Sequence, residues 1–121
     1  MKQNEFEKLV QTALSDIPDE FMNALENIAI TVEDEPKRDI AIKLGLAEND
    51  ILLGLYQGIP LKKRSTWYGN VMPDKITLFK KSIERLYKTP EAIKKAVRKT
   101  VIHEIAHYFG IGDARLKELG I

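Results

Sequence analysis

The stretch TPEAIKKAVRKTVIHEIAHYFGIGD, Thr89 to Asp113, decides how this chain reads. Thr89 before Pro90 is a helix start. The threonine hydroxyl can cap free amides of the first turn, and the fixed φ of proline suits the first helical position. From there Ile93, Ala96, Val97, Thr100, Val101, Glu104, Ile105 and Tyr108 recur at helical spacing. The pattern predicts one helix of about 19 residues. Lys94, Lys95, Arg98 and Lys99 mark the wet side of its first half, whereas the second half reads as apolar nearly all round. The expected helix leaves a solvated surface and enters the core, with residues 103–107 at its buried end.

That end reads His103-Glu104-Ile105-Ala106-His107 and contains both histidines of the chain. Imidazoles four residues apart lie on one helix face, one turn from each other, and can reach a single metal ion. Glu104 is then placed to act on a metal-bound water. An unpaired polar group in a core costs on the order of 1–3 kcal/mol. Among Val101, Ile102, Ile105, Ala106 and Phe109 the pair is therefore either a metal site or two satisfied core histidines, and the motif favours the metal. The chain continues through Gly110 and Gly112 to Asp113, giving H-E-x-x-H-x-x-G-x-x-D. A catalytic zinc takes three protein ligands and keeps a fourth position for water. Gly110 can take a left-handed conformation at the helix end, reverse the chain and bring Asp113 under the metal. Asp113 can also cap a short final helix, Ala114 to Leu119. Glu118 and Glu84 are the other candidates for third ligand. Tyr56, Tyr68, Tyr87, Tyr108 and Arg115 are available as a second electrophile, and the sequence does not choose among them.

The chain has 121 residues, and one domain with a substantial core is expected. Its apolar fraction of 44% and charged fraction of 31% fit a globular protein. A net charge of +1 points to neither nucleic acid nor an anionic membrane as partner. There is no cysteine, which excludes disulfides, thiol nucleophiles and thiolate zinc sites and leaves His, Asp and Glu as the strong metal ligands. MKQNEFEKLV lacks the apolar core of a signal peptide, and no apolar run approaches spanning length, so a cytoplasmic location is expected.

Upstream, Asn4 to Leu14 carries Phe6, Leu9, Val10, Ala13 and Leu14 at helical spacing. Asp19 to Asn27 reads as a second helix with Phe21, Met22 and Leu25 inward. Ile28 to Val32 is β-branched and reads as a strand. Arg38 to Leu44 is a short helix closed by Gly45. Ile51 to Pro60 reads as a strand ending in a Gly/Pro turn. Lys62-Lys63-Arg64 reads as a solvated loop and Met72-Pro73-Asp74 as a turn. Lys75 to Phe79 is a strand and Ser82 to Tyr87 a short helix. This order argues for an α+β domain with a small sheet against the long helix. Zinc peptidases commonly hold substrate along a sheet edge. Leu52 to Gln57 or Ile76 to Phe79 offers such an edge, and each can equally be an interior strand.

His103 to Leu116 resembles zincin-type metallopeptidases. H-E-x-x-H-x-x-G-x-x-D is similar to the extended zinc motif of metzincin-like enzymes with aspartate as third ligand. LGLYQGIPLKKRS (Leu53 to Ser65), PDKITLF (Pro73 to Phe79) and HEIAHYFGIGDARL together resemble the small bacterial zincin-like metallopeptidase family, over most of residues 20–121. The resemblance implies a minimal zincin domain, a small mixed sheet packed on the long C-terminal helix that carries the site. It implies one zinc ion held by His103, His107 and Asp113, with Glu104 in the catalytic position. The methionines are Met1, Met22 and Met72, so the methionine turn that metzincins place beneath the metal has no counterpart after Asp113.

The expected activity is hydrolysis of a peptide bond in a peptide or flexible protein segment by a metal-activated water. The alternative is a metal-binding or interaction module that keeps the fold without hydrolysis. Glu104 separates the two, because a structural site is closed by four protein ligands and needs no acid–base there. Nucleic acid and membrane are not expected as partners.

Overall fold

The computed structural model describes residues 1–26, 28–58, 74–110 and 112–118, with the side chains of Glu20, Ala24, Phe109 and Asp113 excepted. The expected turn at Met72-Pro73 and the basic loop Lys62 to Arg64 lie outside these residues. The described elements run α1 (Gln3–Ser15), α2 (Asp19–Leu25), β1 (Ile28–Glu33), α3 (Arg38–Lys43), β2 (Gly54–Gln57), β3 (Asp74–Phe79), α4 (Lys80–Leu86), α5 (Pro90–Phe109) and α6 (Asp113–Glu118). The α+β architecture expected from the sequence is present. Among these residues no helix is long and apolar enough to cross a membrane.

The sheet is mixed, in the order β1-β3-β2. β3 pairs parallel with β1, Ile30 opposite Ile76 and Val32 opposite Leu78, and antiparallel with β2, Gly54 opposite Leu78 and Tyr56 opposite Ile76. Partners across a ladder point to the same face. One face of the sheet therefore carries Ile28, Ile30, Val32, Ile76 and Leu78. Central β3 is buried nearly throughout, including Thr77, whose hydroxyl lies 3.0 Å from that of its register partner Thr31. Ile76 to Phe79 is thus interior, whereas β2 lies at the margin of the described sheet. The regular strand is shorter than the Ile51 to Pro60 reading, beginning only at Gly54.

Helix α5 lies against the apolar face. Its start is as expected: the Thr89 hydroxyl accepts a hydrogen bond from the Ala92 amide at 3.2 Å, with Pro90 as first helical residue. Ile93, Val97, Val101 and Ile105 are spaced by fours and fully or nearly fully buried, joined by Ala96, Ile102 and Ala106. Phe6, Val10 and Ala13 of α1 join them in the same core, as do Phe21 of α2 and Leu116 of α6. Met22, expected inward, is exposed. In seven-residue α2, Phe21 and Leu25 share the inward face, and the next residue in sequence is turned about 100° away.

β2 approaches α5 closely because its first residue is glycine. A Cβ at buried Gly54 would stand 2.6 Å from Cγ2 of Thr100 and 3.2 Å from the carbonyl oxygen of Thr77. Gly54→Ala should therefore cost about 1–3 kcal/mol through overpacking. Most of that loss should vanish in a Thr100→Ala background, where the opposing methyl is gone. Urea unfolding of the four proteins checks this, and an equal loss in both backgrounds would reject the close approach.

Candidate functional site

The last turns of α5 are two-sided. At about 100° per residue, Val101, Ile105, Ile102 and Ala106 cover an arc of roughly 140°, and all four are buried. Lys99, His103, Ala96, His107, Thr100 and Glu104 cover the complementary arc and line a cleft of about 310 Å³. The expectation that the motif end is apolar all round is corrected here. His103 and Glu104 are half-buried and His107 is exposed. Reading only the apolar neighbours overlooked that the polar residues fall together on one side.

Across the cleft stand Leu52, Leu53 and Gly54, leading into β2, and Tyr87, which follows α4. Of the tyrosines considered, Tyr87 is the one among the described residues that lines this wall. Tyr56 and Tyr108 instead stack on each other, with ring centroids 4.2 Å apart and planes 12° from parallel. The Tyr56 hydroxyl donates to Oδ2 of buried Asp74 at 2.8 Å. This stack ties β2 to α5 beside His107. Tyr68 lies outside the described residues.

His103 and His107 are one turn apart, their ring centroids 6.4 Å apart and their planes at 87°. Nε2 of His103 is buried and has no hydrogen-bond partner among the described residues. A buried donor or acceptor left unpaired costs about 1–3 kcal/mol, so this nitrogen calls for a partner that the described residues do not supply. With metal–nitrogen bonds of about 2.0–2.1 Å, two imidazoles on one tetrahedral ion have centroids about 5 Å apart. The pair therefore fits a metal after a movement of about an ångström, which exposed His107 can make by turning its side chain. Burial pushes the Glu104 carboxyl above the usual carboxylate range, and the nearby charge of His107 acts in the opposite direction. A carboxyl so placed gains basicity, which suits it to receive a proton.

Gly110 has φ 73° and ψ 25°, the left-handed helix end expected from the sequence. Its amide bonds back to the last turn of α5. The chain then turns into α6. Leu116 donates its amide to the Gly112 carbonyl at 3.2 Å, so Gly112 holds the cap position and Asp113 is the first helical residue. The Asp113 carboxylate lies outside the described side chains. Among those described, no group of three or more His, Asp or Glu is arranged to hold a metal ion. Glu118 pairs with Arg115 at 3.1 Å, and Glu84 with Lys80 at 2.6 Å; neither lines the cleft.

The zincin-like metallopeptidase family matches residues 25–121. The chain belongs to that family. Its match spans the sheet, α5 and the motif, and begins at the last residue of α2. Among solved structures, a conserved hypothetical protein from T. thermophilus aligns with a TM-score of 0.59 at 20% identity, covering 90% of this chain and 94% of that one. At that identity the likeness speaks to the fold. Among curated proteins, none matches the chain.

The sequence reading overlooked Lys99 as part of this site, and offered Leu52 to Gln57 as one of two possible sheet edges. Lys99 could have been found, because it lies one turn before His103 in the same i, i+4 row. The wall opposite depends on how β2 docks, which no local pattern encodes. Zinc should bind the folded protein and raise its stability. At a hundredfold excess over Kd the gain is about 2.7 kcal/mol, or roughly 10 °C in Tm for a chain of this size. His103→Ala should abolish both the rise and the bound metal, measured by calorimetry and elemental analysis. An unchanged zinc content in that variant would reject the site.

Proposed function

We propose that the chain is a zinc-dependent peptidase in which His103, His107 and Asp113 hold the metal and Glu104 is the general base. The observation that carries this reading is the buried, unpartnered Nε2 of His103 on a helix whose polar side faces a cleft. Membership of the zincin-like metallopeptidase family supports the same chemistry. Zinc, when bound, supplies a Lewis acid that lowers the pKa of water and polarises a carbonyl.

The chain's residues do the rest. Glu104 follows His103 directly, so its carboxylate lies in the same cleft about one-third of a turn away. It takes the proton from the attacking water and delivers it to the departing amine. Half-burial raises its affinity for that proton, so it can act as a base and then as an acid. Leu52, Leu53 and Tyr87 present an apolar wall that excludes water from one side of a bound peptide. The cleft lies beside marginal β2, which suits an extended peptide or flexible protein segment as substrate.

Glu104→Gln keeps the shape of the side chain and removes the proton acceptor. The variant should bind zinc as the parent does and lose hydrolysis of unfolded casein by about 10²–10⁴-fold, the usual contribution of a general base. Casein cleavage at the parental rate by that variant would reject the assignment of Glu104. Parent protein that binds zinc and cleaves nothing would leave a metal-binding module in place of a peptidase.

A further inference from the structure

Among the described residues of the cleft wall, Lys99 is the one cation and Glu104 the one carboxylate. Lys99 is exposed and takes part in no ion pair among the described residues. Of the other lysines and the arginine of α5, Lys94 pairs with Asp16 at 3.1 Å and Arg98 donates to the Asp16 carbonyl at 3.3 Å, while Lys95 does not line the cleft. The helix neighbours of Lys99 at three and four residues are Lys95, Ala96, Ile102 and His103, none of them acidic. A like charge at i, i+4 is mildly destabilising, so no ion pair along the helix accounts for a lysine here. The cleft sets this ammonium across from an apolar wall, one turn from His103 and two from His107.

We propose that Lys99 selects the substrate, binding a carboxylate that lies within about three residues of the bond cleaved. This deepens the peptidase reading and rests on it for the reaction, though not for the binding. Lys99 lies about 9 Å along the helix from the midpoint of the histidine pair, and an extended peptide advances about 3.3 Å per residue. Glu104, at the other end of the same arc, repels a second anion and so fixes which end of the cleft receives the acid. The carboxylate belongs to an acidic side chain or to the substrate's own C-terminus. Both offer the same group to an ammonium, and capping the C-terminus separates them.

The test uses an equimolar library of N-acetylated octapeptides, randomised over Asp, Glu, Lys, Gln, Ser, Ala, Leu and Phe, prepared as free acids and as C-terminal amides. Each is passed over immobilised, zinc-loaded Glu104→Gln protein, and retained peptides are read by mass spectrometry. The same libraries are digested with the parent protein. An internal acid is indicated by enrichment of Asp and Glu in the amide library, and a chain terminus by retention of the free-acid library alone. In either case Lys99→Gln in the same background should lower the preference about two- to five-fold, the range of one exposed charge pair. Lys99→Glu should turn it towards lysine, and added salt should weaken it. Retention without acid preference, or a preference unchanged in Lys99→Gln, overturns the proposal even if the parent cleaves. A Lys99-dependent acid preference without cleavage by the parent upholds the proposal and overturns the hydrolytic reading instead.

Discussion

Everything at the site follows from the burial of one side of α5. Val97, Val101 and Ile105 pack into the core, with Ile102 and Ala106 beside them. Burying a single valine or isoleucine side chain is worth about 1.5–3 kcal/mol. Rotating the helix by one residue would expose several at once and drive His103 or Glu104 into the core. The apolar arc therefore sets the rotation of the helix with a force much larger than any single polar contact at the cleft. Once that rotation is set, the histidine pair, Glu104, Thr100 and Lys99 must face the opposite way. The apolar residues aim the polar ones.

A helix aimed at solvent would still make no cleft. The second wall exists because β2 can lie close to α5, and Gly54 permits that approach where any side chain would meet Thr100 or the β3 backbone. At the other end of β2, Tyr56 stacks on Tyr108 and is held by buried Asp74. The strand is thus gripped at both ends against the same helix, once by an absent side chain and once by an aromatic stack. Leu52 and Leu53, immediately before the strand, inherit their place from this docking. Two elements distant in sequence are thereby locked as the two walls of the cleft.

The elements with their own period were legible in the sequence, and for physical reasons. Thr89-Pro90, the i, i+4 apolar row of α5 and Gly110 are local signals, each satisfied within a few residues. The β-branched run of β1 and the acidic-to-apolar pattern of α1 are likewise local. What was not legible is what distant segments decide between them. β2 and β3 read alike as strands, yet only pairing on both sides makes β3 interior. The motif turn looked apolar all round because Val101, Ile102, Ile105 and Ala106 crowd the linear sequence. Wrapped onto a helix, they occupy less than half its circumference. Lys99 was visible as a wet-side lysine, and its place at the cleft emerged only once β2 supplied the opposing wall.

The site also shows where this fold accepts a cost in stability. The polar arc places a buried imidazole nitrogen without a described partner next to a carboxyl that burial makes harder to ionise. Both are unfavourable in the protein on its own, and a bound cation would relieve both. It would bond the nitrogen, and its charge would favour the ionised carboxylate. Metal affinity in such an arrangement would be partly the release of stress already present in the fold. Apolar replacements at His103 and Glu104 could therefore stabilise the unloaded domain while removing its chemistry, whereas the same replacements at Val101 or Ile105 have nothing to gain. That asymmetry distinguishes a turn of helix shaped for binding from one shaped for packing, and the last turns of α5 hold both on opposite sides.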